Sequence, residues 1–464
     1  MSPPILEPST NRQADLAMAP SMTRVTSTYA ADETALRQTR IGGTSPRYAW
    51  YVLLILVFGQ IINFMDRMLL NVLVDPIKAE FGASDTQMGL LTGFVFVVVY
   101  ATAGLVMARL ADLKSRRTLL ALGIIVWSGM TVVSGFARSY IGLAAARMGV
   151  AAAESASGPT SFGLISDYFA KEKRPLAYGI MQSTVFLGLF AGFIVAGVIG
   201  ERYGWRSAFF VAGVPGIVLG VVIWLTVREP VRGAMEAQGV NHGDASASFM
   251  QNLKWLTNRR AYLLIILGTA FVAMAGYSYL VWSASFLRRV HGLSGSDAGI
   301  YLALAISLPG SLGTLFGGFT GTWLQRRGIS ADKRTLRLCG ISMMVAVPFY
   351  AAFLTVPDLT QALVLLGVAS FVAGFPTGPA IASAMSVVRV SMRSQAVAIM
   401  TIMISFIGQG GGALIVGVIS DHYAATAGAA SVQYGLFAAL IGNLIAFICY
   451  WLSSNRYDEE FQSL

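Results

Sequence analysis

Apolar runs long enough to cross a bilayer as helices of ~20 residues recur along almost the whole chain, each closed by charged or turn residues. They fall at 48–74, 86–110, 118–137, 140–165, 176–200 and 207–227, then at 260–287, 297–324, 335–355, 359–387, 395–420 and 432–454. A polar stretch at 229–258 separates two sets of six. A soluble chain of 464 residues would carry about twice the 12% of charged residues found here. The pattern predicts an all-α integral membrane protein with about twelve transmembrane helices.

The charges that are present set the orientation. Arg and Lys gather in alternate loops: Lys114/Arg116/Arg117, Lys171/Lys173/Arg174, 228–260, 326–337 and Arg389/Arg393. The opposite loops hold only Lys78, Arg138, Arg202, Arg206, Arg288 and Arg289. The positive-inside rule then puts both termini in the cytoplasm of a cell whose inner (plasma) membrane holds the protein. It also accounts for the net charge of +10 without nucleic acid. Residues 1–47 are polar and lack the apolar segment of a signal peptide, so a disordered cytoplasmic tail is expected there. The predicted organisation is a bundle at 48–228, a cytoplasmic linker at 229–258 with a short interfacial helix near 249–256, a second bundle at 259–454, and a tail at 455–464. Cys339 and Cys449 lie in apolar runs without polar neighbours and are expected to be packing residues.

The two sets repeat. Gly197-Val198-Ile199-Gly200-Glu201-Arg202-Tyr203 returns as Gly417-Val418-Ile419-Ser420-Asp421-His422-Tyr423. At nearly the same offset Gly158-Pro159 matches Gly378-Pro379, and Gly192 matches Gly412. Several matches at one offset point to a parallel duplication about an axis along the membrane normal.

Four charges sit well inside the runs: Asp66 and Arg67 in the first, Arg147 and Glu154 in the fourth. Each would cost at least ~2.5–3.5 kcal/mol in hydrocarbon, so such residues face a polar cavity and serve function by default. With span centres near residues 61 and 152, Asp66 and Arg147 each lie roughly 7 Å to the outer side at ~1.5 Å per residue, and Glu154 about 3 Å to the inner side. The second set has no counterpart charges. It offers Tyr277, Tyr279 and Trp282, and Gln409 among glycines, which as a wall opposite a charged one suits an amphiphile with a single anionic head. Packing or interfacial anchoring is the plainer role for those aromatics, and close helix packing the plainer role for Gly410–Gly412.

After the second run the chain reads Ala108-Arg109-Leu110-Ala111-Asp112-Leu113-Lys114-Ser115-Arg116-Arg117, which resembles the G-x-L-A-D-R-x-G-R-R loop of the major facilitator superfamily. Asp112, Arg116 and Arg117 are kept; Ala108, Leu113 and Ser115 depart. Gly204-Trp205-Arg206-Ser207-Ala208-Phe209-Phe210 is also common in that superfamily. More narrowly, Asn63-Phe64-Met65-Asp66-Arg67 is similar to the N-[YF]-x-D-R of Spinster-type members. Arg147 through Glu154 is similar to their R-x3-G-x-G-E fourth span, with Ala151 and Ala153 replacing the glycines.

The resemblance implies two pseudo-symmetric six-helix bundles that rock about a central site. It makes the first and fourth spans neighbours on that cavity, so that Asp66 can meet Arg147 and Arg67 can meet Glu154. It makes Asp112, Arg116 and Arg117 a latch between the halves when the cavity faces outward. Spinster-type animal members export sphingosine-1-phosphate or lysophospholipids. The expected function is a secondary transporter of an anionic lipid-like amphiphile. Asp66 and Glu154 carry protons, the coupling ion, while Arg67 and Arg147 pair with them or with substrate; Asn63, Tyr277, Tyr279, Trp282 and Gln409 line the cavity. The alternatives are a proton-coupled organic-acid or drug transporter of the same fold, and a non-transporting receptor or scaffold. The expected partners are the bilayer and a small substrate, and the chain is expected to act as a monomer. No G-x4-G-K-[ST] motif occurs, and His242, His291 and His422 show no metal or triad spacing, so no ATP site, metal, other cofactor or enzymatic activity is expected.

Overall fold

The computed structural model describes residues 45–170, 173–230, 249–326, 331–389 and 392–462. Most of the expected tail at 1–47 and of the linker at 229–258 lies outside the described residues. Ten continuous helical stretches are long and apolar enough to cross a membrane. They hold eleven spans, because one of them, Gln395–Gln462, contains two joined by a turn at Gly428–Ala430; the twelfth is broken and so escapes the criterion. In order the spans are Pro46–Val72, Asp85–Ala111, Arg116–Gly135, the broken fourth, Leu176–Tyr203, Trp205–Thr226, Arg260–Val290, Gly295–Leu324, Lys333–Thr355, Leu359–Ser386, and the two halves of the last stretch. The short helix expected near 249–256 is present as Phe249–Thr257. The last helix, Ser431–Gln462, runs on through most of the segment read as a tail.

The fourth span is two helices, Tyr140–Glu154 and Ser157–Tyr168. Pro159 has no N–H for the Ser155 carbonyl, and its ring crowds that carbonyl, so the helix parts one turn earlier. The duplicated Pro379 acts alike in the tenth span, which parts between Leu359–Gly374 and Thr377–Ser386. The break in the fourth span falls immediately after Glu154.

Both the first and the last span have their outer ends at one end of the molecule, termed here the near end. At the opposite, far end the halves meet. Arg289 of the seventh span pairs with Asp75 and with Asp85, each at 2.6 Å. Asp85 also accepts from Lys78 at 2.6 Å and from the Ser420 hydroxyl at 2.6 Å. Toward the near end the short helices Ser157–Tyr168 and Thr377–Ser386 pack on helices of their own half. Among the described residues, polar bridges between the halves therefore cluster at the far end, which is shut.

The Gly-Trp-Arg motif buttresses the same end within the first half. Trp205 Nε1 donates to Glu80 Oε2 at 2.7 Å, and Arg206 grips both Glu80 oxygens at 2.6 and 2.7 Å. The Arg206 hydrogen bonds, with that of Trp205, hold the Glu80 carboxyl below the ordinary carboxylate range. The small stabilisation this half-exposed contact gives is present above that range and is lost as pH falls through the lowered value.

Candidate functional site

The charges of spans one and four form two pairs with different surroundings. Arg147 Nη1 donates to Asp66 Oδ2 at 2.9 Å, with the two side chains only 3% and 2% exposed. The Thr131 hydroxyl of the third span donates to the other Asp66 oxygen at 2.8 Å. That pair is buried among three helices. Arg67 donates through Nε and Nη2 to a single oxygen of Glu154, and its side chain is 17% exposed. Glu154 Oε2, buried, has no hydrogen-bond partner among the described residues. An unpartnered carboxylate oxygen in a buried site is rare enough to require a reason.

The helix period separates the two pairs. Asp66 and Arg67 point ~100° apart around the first span, one toward the third span and one toward the centre. The Arg67 guanidinium lies over three rings, with centroids 5.0 Å away for Tyr100, 5.1 Å for Phe96 and 5.5 Å for Phe64. Phe96 and Tyr100, one turn apart on the second span, stack at 6.0 Å and present one aromatic face to the cation.

A small cavity of about 100 Å³ lies beside these groups, between the halves. Arg67, Arg147, Asn71, Phe64 and Phe96 line it from the first half, and Tyr277, Leu280 and Gln409 from the second. Three expectations about this lining need correction. Tyr279 stacks on Tyr350 at 3.9 Å and donates its hydroxyl to the Leu436 carbonyl, buried inside the second half. Trp282 is likewise buried, its Nε1 donating to the Ala413 carbonyl at 2.9 Å. Two and five residues from Tyr277 place them ~200° and ~140° around the helix from the cavity-facing ring. Asn63 is buried without reaching the cavity lining, whereas Asn71, two turns along, does. The loop Arg116–Arg117 does not bridge the halves in this conformation. Arg116 pairs with Asp167 at 2.5 Å, and the backbone N–H groups of Arg116 and Arg117 donate to Glu229 at 2.8 Å, all within the first half. The Asp112 side chain lies outside the described residues. Gly412 serves packing, since a Cβ there would stand 2.4 Å from the Met274 carbonyl oxygen of the seventh span.

Sequence reasoning missed Thr131, Phe96 and Tyr100. The aromatic pair carried a signal, its i, i+4 spacing within an apolar run; Thr131 carried none. The division between lining and packing is measurable. Tyr277→Ala should raise the transport KM severalfold at unchanged melting temperature. Tyr279→Phe should leave KM unchanged and cost about 0.5–1.5 kcal/mol of stability, the value of one hydrogen bond; the reverse pattern would invert the assignment.

The sequence model of the Major Facilitator Superfamily matches residues 56–413. An MFS-type efflux pump of Mycolicibacterium smegmatis is 29% identical over 433 residues, covering 93% of this chain and 98% of that protein. The sphingosine-1-phosphate transporter SPNS2 of Danio rerio is 26% identical over 384 residues, covering 79% of this chain and 75% of that protein. The crystal structure of a bacterial homolog of the human lysosomal transporter Spinster, inward-facing and unoccupied, superposes with a TM-score of 0.83 at 28% identity, covering 90% of this chain and 99% of that one.

Proposed function

The chain belongs to the Major Facilitator Superfamily and is a secondary transporter, and from that premise we propose that it couples proton movement to transport of an amphiphile with one anionic head, of the sphingoid-phosphate or lysophospholipid class. The observation that carries this reading is Arg67 on the cavity wall, paired with Glu154 buried behind it, with one Glu154 oxygen unsatisfied among the described residues and a charge-free wall opposite. A proton taken by Glu154 neutralises the partner of Arg67. The freed guanidinium, kept in place by Phe64, Phe96 and Tyr100, then presents its fork of donors to a phosphate or carboxylate. Loss of the proton restores the ion pair and expels the head group. Asp66, sealed against Arg147 and Thr131, is the second proton site and opens only when spans one and four shift relative to each other.

The same reading makes the near end cytoplasmic, with both termini inside the cell. With the far end shut, the cavity then faces inward, as in the homologous crystal structure it resembles. A second reading, export of drugs or small organic acids, is favoured by the similarity to the mycobacterial efflux pump over nearly its whole length.

Flux into proteoliposomes separates the two. Sphingosine 1-phosphate and a lysophospholipid should move faster with an imposed proton gradient than without it, and a short dicarboxylate should not move. Gradient-driven movement of the dicarboxylate or of a cationic dye with no lipid flux would establish the second reading instead.

A further inference from the structure

The duplicated heptads at 197–203 and 417–423 take no part in the cavity, yet they occupy equivalent places at the far end. Asp421 accepts from the backbone N–H of Asp85 at 2.9 Å and of Thr86 at 2.7 Å, the first two residues of the second span. Glu201 accepts from the backbone N–H of Ser296 at 2.5 Å, the second residue of the eighth span. Each of those helices already has a serine N-cap. Ser84 accepts from Gln87 and Ser294 from Asp297, which leaves the N–H groups before them bare. Both bare donors at the second span, and that of Ser296 at the eighth, are satisfied by an acid from the other half. Each acid also lies at the positive end of the helix dipole.

The glycine four residues before each acid is what permits the approach. A Cβ on Gly417 would stand 2.4 Å from the Asp85 carbonyl oxygen, and one on Gly197 would stand 2.7 Å from that of Gly295. One motif, copied by the duplication, therefore builds the same inter-half contact twice.

The geometry points to Glu201 and Asp421 as paired clasps of the far gate: each acid holds the start of a helix in the opposite half while that end is closed, and both let go when it opens. The assignment depends on alternating access alone and not on the cargo or the coupling ion. The clasps set how often the far end is open, so weakening them redistributes the transporter between its two states.

The test is a distance measurement. Spin labels on Arg138→Cys and Thr360→Cys report the far-end separation of the halves, both positions being exposed. Native Cys339 and Cys449 are buried and remain unlabelled. In the Glu201→Ala/Asp421→Ala background the longer-distance population should rise about fivefold or more above the labelled parent. Glu201→Gln/Asp421→Asn, which removes both charges and keeps one acceptor oxygen on each side chain, should show a smaller rise in the same direction, and decides the matter if the alanine protein does not fold. A monodisperse variant with the distance distribution of the parent would overturn the assignment.

Discussion

Glu154→Gln is expected to yield a folded, membrane-inserted protein whose proton-driven flux falls by about 5–150-fold, the span of a coupling free energy of ~1–3 kcal/mol. The amide keeps the size of the carboxyl and offers Arg67 one acceptor, so packing next to the helix break is preserved. It cannot take and release a proton, so Arg67 loses the partner that switches. Exchange of substrate down its own gradient should persist, because it needs the cavity but not the coupling. Measuring both fluxes in one preparation separates the effects. Gradient-driven uptake at the parental rate would eliminate Glu154 as a proton carrier. Loss of both fluxes with an intact fold would instead make it a substrate contact.

Arg147→Ala should act on stability. It strips the buried Asp66 carboxylate of the cation paired with it and, among the described residues, leaves it one hydrogen bond, from Thr131. Removing one partner of a buried ion pair costs about 3–5 kcal/mol, chiefly through the charge left behind. Adding Asp66→Asn removes that charge and should restore much of the loss, while Asp66→Asn alone strands Arg147 and should destabilise more than Glu154→Gln does. Arg67→Ala ought to cost less, since the Arg67 side chain is 17% exposed against 3% for Arg147. Unfolding midpoints of the four proteins, read as a cycle, test the point. Additive losses would mean that the pair does not act as a unit.

The sequence made the span count legible because hydrocarbon demands long apolar helices whatever the packing. The two charge pairs were legible for a related reason: intramembrane charges are so costly that equal depth on neighbouring spans suggests pairing, although the adjacency of spans one and four came from resemblance. Lining residues were harder to read. Tyr277, Tyr279 and Trp282 were read as a group, although a helix turns ~100° per residue and cannot aim all three inward. Asn63 belongs to the motif and Asn71 does not, but motif membership does not fix orientation. The break after Glu154 follows from Pro159, which drew attention only as half of a repeat. Thr131 and the far-end clasps depend on where separate helices arrive in space, which no local pattern encodes.

All four intramembrane charges stand in the first six helices, while the second six, among the described residues, give the cavity Tyr277, Leu280, Val281 and Gln409 and no charged side chain. Under the proposed mechanism this is a division between motor and selector. New cargoes can arise by changing the neutral wall alone, with the energy source untouched, and duplication of an ancestral bundle freed one copy to do so.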